Sequence, residues 1–222
     1  MARKVLPYRC PQCGKIHDYP VYEGVDVTKE PQFRAKVMDA SIFDFVCPHC
    51  GSVNGVIYPF LYHDPARRFM VQLVDSTMPE DPFTDLFTTD DASEQAIRSV
   101  VEDMKTRYAL RTVTSPNELM EKIAIFEAEL DDRVLEIMKQ GILAADDSGK
   151  ILDLLFAPTE NGPAFLVEEE VGFTKAIPLD MTLYENLSRD AEQFADETET
   201  RINAEWAKRH ITTIRRGSPS LQ

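Results

Sequence analysis

Cys10-Pro11-Gln12-Cys13-Gly14 and Cys47-Pro48-His49-Cys50-Gly51 contain all four cysteines of this 222-residue chain. In both, a proline follows the first thiol and a glycine follows the second. Two residues between two thiols let both sulfurs face one point from a single tight turn. The glycine can take the left-handed backbone conformation that such a turn requires. Two turns of this kind supply four thiolates, a complete tetrahedral shell for Zn²⁺ with metal–sulfur distances of ~2.3 Å. Cys10, Cys13, Cys47 and Cys50 are therefore predicted to be metal ligands. Iron is the chemical alternative, because a tetrahedral four-sulfur shell suits either metal and the C-P-x-C-G turn is rubredoxin-like.

Four thiolates close the shell. They leave no coordination position for a substrate, and they place enough negative charge on the metal to weaken it as a Lewis acid. The site is expected to be structural and the protein non-enzymatic. The 33-residue spacer, 14–46, is longer than the usual separation of such pairs and is predicted to carry structure of its own.

Charge is unevenly distributed. Residues 1–75 carry nine basic and eight acidic side chains; residues 76–222 carry 15 and 30, and the formal net charge is −14. Nucleic-acid binders normally present a basic footprint, which the first part lacks and the second reverses. A protein partner or self-association as a homodimer is the expected mode of contact. No apolar run reaches the ~18 residues of a membrane helix, and Cys10 interrupts any signal-like N-terminal segment. A cytoplasmic location is therefore expected, and there paired cysteines of this type bind metal more often than they form disulfides.

Along the chain, residues 2–9 read as a short strand and Lys15–Val27 as a β-leaning run. Thr28 is placed to cap a short helix carrying Phe33, Val37 and Met38, and Ser41–Val46 returns as a strand into the second cysteine pair. Val53–Tyr62 and Arg67–Val74 read as a hairpin with His63-Asp64-Pro65-Ala66 at its tip. Residues 75–91 look like a linker. Asp91 with Glu94 begins a predicted helix running to about Tyr108, and Leu110–Thr114 is a short strand. Ser115-Pro116-Asn117-Glu118 forms a second capping box. The helical pattern continues through Leu130, Val134, Ile137 and Met138, either directly or after a break near Glu129–Asp131, with Gly141 expected to end it. Ile151–Ala157, Ala164–Glu169 and Gly172–Pro178 read as an antiparallel meander, followed from Asp180 by one long acidic helix through Trp206.

Beyond the cysteines, Tyr58-Pro59-Phe60-Leu61-Tyr62-His63-Asp64-Pro65, Arg111-Thr112-Val113, Glu118-Leu119-Met120-Glu121-Lys122 and Leu130-Asp131-Asp132-Arg133 resemble the CpXC domain proteins of bacteria and archaea. The likeness covers about residues 8–140. It implies metal binding by Cys10, Cys13, Cys47 and Cys50 and carries over no activity.

The predicted fold class is α+β. A CpXC-like domain occupies 1–142: an N-terminal zinc ribbon at 1–75, with β-hairpins on two cysteine knuckles and a helical insert, then a helical part at 76–142. A small acidic β-meander with a long C-terminal helix follows at 150–214, and 215–222 is expected to be a disordered tail. Three other functions are set against the structural reading. One is a nucleic-acid-associated zinc ribbon using Arg3, Lys4, Arg9, Arg34, Lys36, Arg67 and Arg68. The second is an enzyme centred on His63 and Asp64, for which the plainer account is a turn. The third is thiol redox chemistry at Cys47 and Cys50, which would need a helix after the motif where a β pattern stands. His17 and His49 are expected in supporting or surface roles and His210 in solvent. Asp131-Asp132 is read as a solvated face, Asp146-Asp147 as a turn, and Glu168-Glu169-Glu170 as a strand end or an acidic patch for a basic partner.

Overall fold

Strand β1 (Arg3–Arg9) turns at the first cysteine pair and returns antiparallel as β2 (Ile16–Tyr22), with Arg9 opposite Ile16 and Arg3 opposite Tyr22. The computed structural model describes residues 3–75, 78, 82–83, 104, 106–191 and 199–217. It divides into two units, Met1–Met120 and Glu121–Gln222.

In the first unit the long spacer is structured, as its length predicts. It holds β3 (Gly24–Asp26), helix α1 (Gln32–Met38) and a 3₁₀ turn over Ser41–Phe43, and leads into β4 (Asp44–Val46). Thr28 does not cap α1. Pro31 takes that position with no side-chain cap, because the Asp26 carboxylate holds the preceding turn by accepting from the Thr28 and Lys29 amides. Strand β4 passes through the second cysteine pair and returns as β5 (Val53–Gly55). The two short sheets are joined by aromatic rings. Phe45 meets Tyr8 at 4.8 Å and Tyr19 at 5.1 Å, and Phe43 meets Tyr58 at 5.3 Å and Phe60 at 5.7 Å, all in edge contacts. Such pairs add about 0.5–1.5 kcal/mol each beyond the area they bury.

The other half of this unit is a four-stranded mixed sheet in the order β3-β6-β7-β8, with β6 at Phe60–Asp64, β7 at Phe69–Leu73 and β8 at Ala109–Val113. The β6–β7 pair is antiparallel, while β3 and β8 add in parallel. All five residues of β7 are buried, as expected of an inner strand covered on both faces. The run Val53–Tyr62 is thus divided between two sheets, since β5 pairs with β4 and only β6 with β7. His63 lies within β6, opposite Met70, and the turn proper falls on Pro65–Arg68. There the Asp64 carboxylate accepts from the Arg67 amide and guanidinium, at 3.0 Å each. Most of the 75–91 linker, and the helix predicted to start at Asp91 up to residue 103, lie outside the described residues.

The boundary between the units falls inside α2 (Pro116–Glu127). Ser115 Oγ accepts from the Glu118 amide, as the capping signal predicts, while the Glu118 carboxylate reaches one residue further back than a capping box requires, to the Thr114 amide. In the second unit α3 (Asp132–Ala145) starts at an Asp131 cap. It runs through the exposed Gly141 to Ala145, because the burial of residues 134–139 outweighs the roughly 1 kcal/mol that one glycine costs a helix. The meander is present as β9 (Asp153–Thr159), β10 (Gly162–Glu169) and β11 (Gly172–Pro178), in the order β11-β10-β9.

The single long C-terminal helix resolves into two, α4 (Met181–Ala191) and α5 (Ala204–Gly217), with residues 199–203 non-helical. Asn203 starts α5 by accepting from the Glu205 and Trp206 amides. Ile202, Trp206 and Ala207 are fully buried, which anchors α5 in the unit's core. Helix α5 continues to Gly217, past the expected start of the tail; residues 218–222 lie outside the described residues. Among the described residues no helix is long and apolar enough to cross a membrane.

Candidate metal centre

The two cysteine turns share one backbone pattern. The Cys10 amide donates to Lys15 O and the Gly14 amide to Cys10 O; in the second turn the Cys47 amide donates to Ser52 O and the Gly51 amide to Cys47 O, each at 2.9 Å. Gly14 and Gly51 sit at φ 73° and 72°, where a side chain would be strained and glycine is not. The repeated Cys-Pro-x-Cys-Gly thus encodes the same knuckle twice. One knuckle closes the β1–β2 pair and the other the β4–β5 pair.

The sulfurs of Cys10, Cys13, Cys47 and Cys50 all lie within 4.8 Å of one another. Cys10 and Cys50, and separately Cys13 and Cys47, approach to 3.7 Å across the knuckles. A regular tetrahedron with metal–sulfur bonds of ~2.3 Å has edges of ~3.8 Å, so the donor set fits a four-coordinate ion. Cys10 and Cys47 are buried, Cys13 is half-buried and Cys50 is exposed. The Ser52 hydroxyl is the main influence drawing the Cys10 thiol down to about 6, and it lowers Cys50 as well. Cys13 accepts a backbone hydrogen bond from Lys15, which favours its thiolate. Burial and the neighbouring sulfurs of Cys10, Cys47 and Cys50 outweigh that bond and push it up to about 11. Four thiolates cannot share so small a volume without a cation among them.

This chain is a twin-knuckle, four-cysteine protein. It belongs to the CpXC protein family, whose model matches residues 8–139. No curated protein and no solved structure matches it.

The histidines separate by position. His17, on β2, brings Nε2 to 3.5 Å from Cys47 Sγ, whereas His49 is exposed within its knuckle. His63 is half-buried in β6 against Tyr108 at 5.7 Å; its Nε2 is buried with no hydrogen-bond partner, and burial lowers its pKa. His210 is not free in solvent: it stacks on Trp206 at 4.4 Å. Asp146 holds the turn at 146–151, as read from sequence.

Asp132 reverses its expected exposure. It is fully buried in the second unit, in an ionic network with Glu121, Lys122, Glu136 and Lys139, none more than 5% exposed. Lys122 Nζ lies 3.0 Å from both Asp132 Oδ2 and Glu136 Oε1, and Lys139 Nζ lies 2.9 Å from Glu121 Oε1 and 3.1 Å from Glu136 Oε1. Glu121 Oε1 also accepts from the Phe156 amide at 2.7 Å, tying α2 to β9. Asp132, Glu136 and Lys139 occur at i, i+4 and i+7, the spacing of a single helix face. Without a view of what covers that face, charge at this spacing reads as solvent-facing.

Proposed function

We propose that this protein binds one structural zinc ion through Cys10, Cys13, Cys47 and Cys50, and acts without catalysis as an interaction or scaffold protein. The N-terminal part is then a zinc ribbon with a structured insert, and the acidic second part makes the contacts with a protein partner or a second copy. The observation that carries this reading is the meeting of four sulfurs from two matched knuckles in a shell that four ligands complete. Family membership supports the metal, since the match spans both knuckles. The charge asymmetry favours a protein partner over nucleic acid.

Elemental analysis with thiol counting tests the metal. One equivalent of zinc, and four thiols that react only after chelation or denaturation, is the expected result. Metal-free protein with a reversible Cys47–Cys50 disulfide would overturn it in favour of redox chemistry. A specific turnover that survives re-purification and depends on a named side chain would overturn the non-enzymatic reading.

A further inference from the structure

The metal site has an outer layer, and its contacts cross between the knuckles. Ser52, which follows the second knuckle, places its hydroxyl 3.3 Å from Cys10 Sγ in the first and 3.2 Å from Cys50 Sγ in its own. His17, on the strand leaving the first knuckle, reaches Cys47 in the second. Asn54, on β5, donates its side-chain Nδ2 to Ser52 Oγ at 3.2 Å and to Ser52 O at 3.3 Å.

The donor roles follow from chemistry. A metal-bound thiolate carries no proton, so it can only accept. His17 must then present Nε2–H, and Ser52 must direct its one proton at sulfur. Asn54 enforces the second condition: an amide N–H occupies a lone pair of Ser52 Oγ, leaving the hydroxyl proton for the two sulfurs. We propose that His17, Ser52 and Asn54 form a positioning layer that retains the metal, with Ser52 latching the two knuckles together and Asn54 acting only through Ser52. A four-thiolate shell around a divalent ion has a net charge of −2, and donated hydrogen bonds disperse that charge. Without them the exposed ligand, Cys50, is the easiest to release, because water can replace it.

This inference rests on the metal reading above, and the experiment separates the two. Zinc transfer to a chromophoric chelator is timed for wild type, Ser52→Ala, Ser52→Thr, Asn54→Ala, His17→Ala and Ser52→Ala/Asn54→Ala. The sulfur-to-cobalt charge-transfer band of each cobalt(II)-loaded protein is recorded alongside. Ser52→Ala and His17→Ala are expected to release zinc roughly 10–100-fold faster, the usual cost of losing an outer-layer partner. Ser52→Thr should restore the wild-type rate. Asn54→Ala should accelerate release less than Ser52→Ala does, and the double variant should be no faster than Ser52→Ala alone. The cobalt band should move to lower energy wherever a hydrogen bond to sulfur is lost.

Rates within twofold of wild type for both Ser52→Ala and His17→Ala, with an unmoved band, overturn the layer and leave the metal site standing. Multiplying effects of Ser52→Ala and Asn54→Ala overturn the role given to Asn54. A wild-type protein that takes up neither metal refutes the metal reading and this inference with it. Should Ser52→Ala fail to load, Ser52→Thr and Asn54→Ala decide: wild-type retention by the first with faster loss from the second supports the layer, and wild-type rates for both overturn it.

Discussion

Lys122 Nζ and Asp132 Oδ2 stand 3.0 Å apart, with 3% and 1% of their side chains exposed. Charges this far from water are costly unless paired, and removing one partner of a buried pair typically costs about 3–5 kcal/mol because the other is stranded. Lys122→Met would strand both Asp132 and part of Glu136. It is expected to lower the stability of the second unit by about that amount, read from its denaturant midpoint. Replacing Lys122 and Asp132 together with apolar residues should recover part of the loss. Equal midpoints for wild type and Lys122→Met would show the network to be open to water.

The same network gives a pH dependence. Burial by itself would lower the Lys122 and Lys139 pKa values, but Asp132, Glu136 and Glu121 around Lys122, and Glu136 and Glu121 around Lys139, raise both above their ordinary 10.5. A lysine with a raised folded value contributes stability in full below its unfolded pKa, and that contribution is lost as pH rises past it. Burial raises Glu136, and Lys122 and Lys139 more than reverse this, so its folded value lies below 4.5. Its contribution is present above 4.5 and lost as acid is added. Glu121 acts in the opposite sense, since burial raises it and the lysines only partly compensate. Thermal unfolding should therefore show a broad neutral plateau, an acid fall blunted by Glu121, and an alkaline fall beginning above about pH 10.5. Lys122→Met should weaken the alkaline fall.

Gly24 is fixed by its neighbour. A Cβ there would lie 2.9 Å from Leu61 O and 3.0 Å from Leu61 Cβ, where β3 runs parallel to β6. Gly24→Ala must push backbone against backbone, at a cost of about 1–3 kcal/mol. Faster amide exchange in β3 and at the Val27 amide, which bonds His63 O, is the signature to look for. Unchanged exchange would mean that the strand pair yields freely.

Loss of a knuckle ligand should act on the first unit alone. Cys47→Ser is expected to abolish stoichiometric zinc and open residues 3–75 to proteolysis, as chelation should in the wild-type protein. Cleavage within 121–191 should not change. An equally protected 3–75 segment in metal-free protein would show that the aromatic contacts of Phe43 and Phe45 suffice on their own.

What could be read in advance follows from the range of each interaction. The knuckles are local, with two residues between thiols and a glycine at φ near 70°, so their geometry is written in five consecutive letters. The Ser115 cap is local for the same reason, its hydroxyl meeting an amide three residues on. Ser52 and Asn54 were harder to recognise, because nothing in a serine after a glycine says that its hydroxyl will face the other knuckle. The ionic network was hidden for a related reason. Residues Val134 to Lys139 are all buried, so this stretch of α3 is enclosed all round, and periodicity separates faces only when one of them is wet. Glu118–Lys122 and Leu130–Arg133 carried the family likeness while their buried partnership stayed out of view. The break at 199–203 depended on the Asn203 cap, which an acidic run beginning at Asp180 did not announce.

Residues 14–46 form a loop whose two ends meet at sulfur and whose middle, as β3, is stitched to the edge of the four-stranded sheet. Gly24–Asp26 is the one strand of that sheet whose chain lies between the two cysteine pairs. One thread of polypeptide therefore closes on itself at the sulfurs and, midway round, supplies an edge of the sheet, so that edge and the cysteine cluster belong to a single closed loop.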